Sequence, residues 1–125
     1  MADPSRASAS ERGRLAENLA LQYLEEQGLV LLERNFRCRS GELDLIMQDG
    51  GFRVAVEVRY RAGQQHGGAL YSVDARKQRR LLAASLYYLK VRKFHGPFRL
   101  DVVAMSPAKP DGLTFNWIKN AITAS

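Results

Sequence analysis

Apolar and polar residues recur along this chain with two different periods, and the changes of period mark out its elements. From residue 12 to 27, Leu15, Ala16, Leu19, Ala20, Tyr23, Leu24 and Gln27 follow the three- and four-residue spacing of one helix face, and Gly28 stops it. Residues 29–37 then read as a strand. Next come two apolar runs, 43–47 and 54–58, flanking Asp49-Gly50-Gly51, a two-residue hairpin signal. The helical period returns from Asp74 to about Lys93, with Ser72 or Asp74 as N-cap. Leu82, Leu86 and Leu89 form its expected core stripe, helped by Leu81 and Ala84. His95-Gly96-Pro97 breaks that helix. Residues 98–105 read as a buried central strand and 113–118 as a final edge strand. The order is α-β-β-β-α-β-β, with the strand–helix–strand part expected as a right-handed crossover between parallel strands. The expected class is α/β: one domain over residues 12–125 with a mixed sheet and flanking helices, after a flexible tail at 1–11.

The hairpin carries charge where its pattern asks for a buried strand. If Gly50-Gly51 makes the turn, Asp49 pairs with Phe52, Asp44 lies across from Glu57 and Glu42 across from Arg59. Leu43, Leu45 and Met47 then share an apolar face with Val58, Val56 and Val54. A turn at Asp49-Gly50 would set Glu42 against Glu57, a like-charge pair, so the first register is preferred. Two carboxylates with Cβ atoms roughly 5 Å apart repel unless something positive lies between them. A hard divalent cation, Mg²⁺ or Mn²⁺, is the simplest candidate, because it takes oxygen ligands and can bind through two carboxylates plus substrate phosphates. The plainer alternative is an arginine beside Asp44 on a solvated sheet face.

Other charged positions add to this picture. Glu17 lies on a helical row with Ala20, Leu21 and Leu24 and faces the packed side, although an acid in a first helical turn is also favoured by the dipole. Arg34, Arg37 and Arg39, with Ser40, approach the acidic face from a loop; contact with phosphate is the preferred reading, solvation of a sheet edge the alternative. Arg76, Lys77, Arg79 and Arg80 crowd the start of the second long helix against its macrodipole, an arrangement an anion would relieve. The glycine-rich loop at 62–70 leads from the Glu57 strand to that helix and suits a flap over substrate, with His66 a minor candidate base. Asp101, inside an apolar strand, is expected to be held by an arginine or a backbone donor, and Tyr87, Tyr88 and Trp117 to be packing residues.

Composition narrows the field. The 125 residues are 46% hydrophobic, enough for one real core. No apolar run approaches the roughly 18 residues a membrane span needs, and the first eleven residues lack the apolar segment of a secretory signal. The single cysteine, Cys38, excludes an internal disulfide and cannot build a zinc site alone. A cytoplasmic protein without a membrane partner is expected. The net charge of +6 favours a polyanionic partner.

An acid on one strand, a turn, then Glu-x-(Lys/Arg) on the next resembles the PD-(D/E)xK nuclease superfamily. Within it, residues 41–46 (GELDLI), 56–61 (VEVRYR) and 77–81 (KQRRL) resemble the YraN-like family, small bacterial proteins to which an endonuclease role is attributed and whose fold is similar to archaeal Holliday junction resolvases. The resemblance spans about residues 12–118. It implies a restriction-endonuclease-like fold and metal-dependent cleavage of DNA, including branched DNA. Asp44 and Glu57 would hold Mg²⁺ or Mn²⁺, Glu17 would be the third acid, and Arg59 would stand where the superfamily has lysine. Arginine is not deprotonated in proteins and cannot be a base. Arg59 is therefore expected to orient water or stabilise charge, with Lys77 as an alternative source of an ammonium group. Arg61, Arg76, Lys77, Arg79 and Arg80 would contact DNA. Resolvase-like proteins often work as dimers, so a homodimer is a further expectation. A DNA-binding module with a vestigial site and a protein-interaction domain are the alternatives.

Overall fold

The computed structural model describes residues 8–61, 73–108 and 112–124. Helix α1 (Ala9–Glu26) is followed by strands β1 (Val30–Cys38), β2 (Gly41–Asp49) and β3 (Phe52–Tyr60), helix α2 (Ala75–Arg92), and strands β4 (Phe98–Pro107) and β5 (Leu113–Ile118). The five strands form one sheet in the order β1-β2-β3-β4-β5. All neighbours are antiparallel except β3 and β4, which are parallel and joined through α2. This is the mixed-sheet α/β domain, in the element order, that the hydrophobic pattern predicts.

The sheet has a core on each face. Val54 and Val56 turn one way and Ala55 between them turns the other. On the α1 side, Ala16, Ala20 and Leu24 pack on Leu45, Met47, Val54, Val56, Val103 and Met105. On the α2 side, Leu81, Ala84 and Tyr88 pack on Phe36, Ile46, Ala55, Leu100 and Val102. The fully buried stripe of α2 is Leu81, Ala84, Ser85 and Tyr88; of the expected leucines, Leu82 and Leu89 pack half-buried at its edge and Leu86 does not. Leu86 is 70% exposed and Tyr88 1%. Tyr88 outcompetes the leucines because its ring fits edge-on against Phe36, 5.1 Å away.

Helix α1 starts earlier than expected, so residues 9–11, assigned to the tail, are helical. Ser8 is the N-cap and forms a reciprocal capping box with Glu11, which satisfies two otherwise orphaned amide groups. Asp74 caps α2 by accepting from the Lys77 amide at 2.8 Å. The glycine-rich loop and His66 lie outside the described residues.

The hairpin takes the register read from the sequence. Asp49 pairs with Phe52 and Leu45 with Val56, and Gly50 supplies the positive φ of 59° that the turn needs. Beyond Leu45–Val56 the ladder stops, so the expected pairings Asp44–Glu57, Leu43–Val58 and Glu42–Arg59 do not form. Glu42 does not face Arg59; it pairs with Arg37 of β1 and accepts a 2.9 Å hydrogen bond from its Nε. Leu43 does not share a face with Leu45: it packs in the α2-side core while Leu45 packs under α1. The alternation breaks at Asp44. Across the sheet, between the pairs Arg34–Leu45 and Phe36–Leu43, Asn35 takes a left-handed conformation with φ of 54°. Asparagine tolerates that region better than most residues.

Candidate active site

The two strands of the hairpin part at Asp44, and the site lies in that gap. Where a ladder bond would continue, the Asp44 carboxylate takes over and accepts the Val58 amide at 3.0 Å. Its neighbour is the Glu57 carboxyl, close enough for each to bear on the other's charge. Glu57 is almost fully buried at 3% exposure. Two cations reach the same Glu57 oxygen, Arg59 Nη1 at 3.4 Å and Lys77 Nζ at 3.6 Å. Arg59 comes from the same strand. Lys77 comes from the first turn of α2, on the row of Leu81, Ala84 and Tyr88 that the core fixes.

Around these groups opens a cleft of about 360 Å³, lined by Arg12, Gly13, Ala16 and Glu17 of α1, by Asp44, by Glu57 to Tyr60, and by Lys77. The electrostatics are those of a crowded acidic pair. Burial, then the charge of Glu57, pushes the Asp44 carboxyl up to about 8, against the opposing effect of the Val58 amide. Burial also raises Glu57, while Lys77 and Arg59 pull it back. Both carboxyls are therefore harder to ionise than ordinary ones, and the pair takes up and loses protons as a unit.

The remaining residues singled out in the sequence are distributed as follows. Glu17 lines the cleft but is tied elsewhere: Asn35 Nδ2 donates to it at 3.0 Å and Arg34 Nη2 lies 3.5 Å away. Among the described residues, no three acidic, histidine or cysteine side chains come together closely enough to hold an ion. Arg76, Arg79 and Arg80 are exposed on α2 outside the cleft. Arg80 Nε donates to the Ser40 carbonyl at 3.3 Å and so straddles the β1–β2 turn. Arg61 directly follows β3, its amide bonded to the Met105 carbonyl at 3.0 Å. Asp101 is wholly buried and saturated by Arg99 at 3.0 Å, Trp117 Nε1 at 2.9 Å and the Asn120 amide at 2.8 Å. It is a structural carboxylate, as its strand position suggested. Arg12, Gly13 and Tyr60 line the cleft without having been singled out. The first two fall in the helix already read from the pattern, where no spacing along the chain marks them out.

The donor set fits a hard divalent cation. Two carboxylates whose charged forms are disfavoured in the ion's absence face one opening, and among the described residues no sulfur or imidazole lines it. An ion there would take Asp44 and Glu57 as protein ligands and complete its shell with water and phosphate oxygens, the usual coordination of Mg²⁺.

Fold and site together define a mixed-sheet α/β protein with a buried, cation-flanked carboxylate pair where its central hairpin opens. The chain belongs to the Uncharacterised protein family UPF0102, the YraN-like group, whose model matches residues 16–105. It is 52% identical over 112 residues to a UPF0102 protein of Methylococcus capsulatus, covering 90% of each chain. A UPF0102 protein of Herminiimonas arsenicoxydans is 50% identical over 88% of this chain and 85% of its own. One of Pseudomonas putida is 49% identical over 92% and 94%. In the described residues, no helix is long and apolar enough to cross a membrane.

Proposed function

We propose that this protein is a metal-dependent endodeoxyribonuclease of the PD-(D/E)xK type, acting on linear or branched DNA. The observation that carries the reading is the Asp44–Glu57 pair in the gap of the hairpin, with Arg59 and Lys77 converging on it. Stability alone gives no reason to place two neighbouring acids and two cations at one opening, since burying charge costs more than packing apolar side chains there. Such an array suits a phosphodiester, whose charge grows as it is attacked. Bound Mg²⁺ or Mn²⁺ would supply an activated water and neutralise phosphate charge. Asp44 and Glu57 hold the site's negative charge in a fixed place, and the Val58 amide orients Asp44. The Lys77 ammonium and the Arg59 guanidinium are preorganised donors for the phosphoryl oxygens. Arg59 cannot act as a base.

A metal-titrated cleavage assay over linear duplex, single-stranded, flap and four-way-junction DNA tests this. Cleavage that needs Mn²⁺ or Mg²⁺ and disappears in both Asp44→Asn and Glu57→Gln supports it. Cleavage unchanged in both variants would overturn the assignment. A second reading, a DNA-binding module without turnover, is favoured by the ties that hold Glu17 away from the pair. It requires salt-sensitive DNA binding with no cleavage at any metal concentration.

A further inference from the structure

A second cleft, of about 540 Å³, lies on the other side of the Glu17 row of α1. Its walls are Ser10, Gly13, Arg14, Glu17 and Asn18 of α1 and Arg34, Asn35 and Arg37 of β1. Three of these are arginines, and Glu17, the one acid, is already engaged by Arg34 and Asn35. The Arg34 Nε is buried and has no hydrogen-bond partner. That nitrogen is sealed from the cleft; what Arg34 offers an anion there is the exposed part of its guanidinium, beside Arg14 and Arg37. Gly13 and Glu17 line both this cleft and the one that holds Asp44 and Glu57, so the two meet across α1.

Gly13 is the crossing point. It sits within a helix, where glycine is the weakest ordinary former, and packing does not require it. A Cβ there would meet nothing within 4 Å, and its φ is not one that excludes side chains. What its missing side chain leaves is a low saddle between the basic cleft and the carboxylate cleft.

We propose that the Arg14–Arg34–Arg37 cleft is a second phosphate subsite, and that the sugar–phosphate backbone of the DNA runs from it over Gly13 into the Asp44–Glu57 cleft. This rests on the DNA-cleaving reading above and adds to it a track along α1, apart from the arginines of α2. Charge selects the occupant: a polyanion with regularly spaced phosphates uses both clefts at once, whereas an isolated anion uses one.

The test measures anisotropy of labelled duplex and single-stranded DNA against salt for the full-length protein and for Arg14→Ala, Gly13→Ala, Gly13→Leu and Arg79→Ala. Losing the Arg14 contact should lower the slope of log K against log salt by about 0.9 on duplex, or about 0.7 on a single strand. Gly13→Ala should bind within about twofold of wild type and raise Tm, because alanine favours the helix. Gly13→Leu should also raise Tm yet weaken DNA binding about tenfold or more, because its side chain stands on the saddle. An unchanged slope in Arg14→Ala together with wild-type affinity in Gly13→Leu overturns the subsite. If Arg79→Ala still lowers the slope in that case, the DNA reading survives without it. Failure of wild type to bind either DNA overturns both.

Discussion

Asp44→Asn tests whether the carboxylate pair is as strained as its geometry implies. An acid whose folded value lies above its unfolded one binds a proton more readily when folded. Stability therefore falls as pH rises from the ordinary aspartate value, 3.8, to about 8, and the penalty is complete above that. At about 1.4 kcal/mol per pH unit this span has a ceiling on the order of 6 kcal/mol. Asp44 is only partly buried, so solvent screening reduces the expected penalty to about 2–3 kcal/mol. Asparagine keeps an oxygen for the Val58 amide and removes the charge. In urea unfolding with a chelator present, the two proteins should be close at about pH 5 and separate by about 2–3 kcal/mol at about pH 9, with the variant the more stable. With m about 1–3 kcal/mol/M, the midpoints then differ by on the order of 1 M, a readily measured gap. Saturating Mn²⁺ should stabilise wild type at the higher pH and leave the variant unmoved. Parallel pH profiles, in which the gap between the proteins is the same at both pH values, would refute the raised Asp44 value and the electrostatic case for a cation between the acids.

Mn²⁺ affinity measured by calorimetry should rise with pH up to about 8 and release protons on binding, since ligation needs both carboxylates ionised. Leu81→Ala should cost about 2–4 kcal/mol in denaturant unfolding, whereas Leu86→Ala should stay within about 0.5 kcal/mol of wild type. Asp101→Ala should cost about 3–5 kcal/mol, because it leaves the Trp117 indole and the Asn120 amide without their acceptor and Arg99 with Asp49 alone. Arg59→Ala should lower the single-turnover cleavage rate of bound DNA by more than it weakens DNA affinity; loss of affinity alone would make Arg59 a binding residue.

The element order and the hairpin register were legible because each rests on a simple period. Two apolar runs around Asp49-Gly50-Gly51 admit few pairings, and like charges exclude the nearest competitor. Asp44 and Glu57 stood out because they are acids in strands that otherwise read as buried. What could not be read is where regularity fails. The alternation rule placed Leu43 with Leu45 because it assumes an unbroken strand, while Asn35 turns left-handed opposite Asp44 and the β2–β3 ladder ends at Leu45. The ties of Glu17 to Arg34 and Asn35 cross from a helix to a strand, and no spacing along the chain reveals them.

The phase of α2 was the other ambiguity, and it bears directly on chemistry. This helix carries two apolar rows, Leu82–Leu86–Leu89 and Leu81–Ala84–Tyr88, and hydrophobicity favours the leucine-rich one. The two rows lie roughly a third of a turn apart, so the choice decides which basic residue of the first turns points at the sheet. With the leucine row inward, Gln78 and Arg79 would flank the buried face and Lys77 would point away. With Tyr88 seated against Phe36, Lys77 lies on the inward row and reaches Glu57. The cation at the carboxylate pair is thus positioned by the aromatic packing three turns along the same helix. A substitution that lets the helix roll, Tyr88→Leu, should therefore weaken the hold of Lys77 on Glu57 without touching either residue. In a double-mutant cycle of Lys77→Met with Tyr88→Leu, the two stability losses should fail to add, although the positions are far enough apart for independent sites to be additive. Strict additivity would mean that Lys77 finds Glu57 by its own flexibility and that the core does not place it.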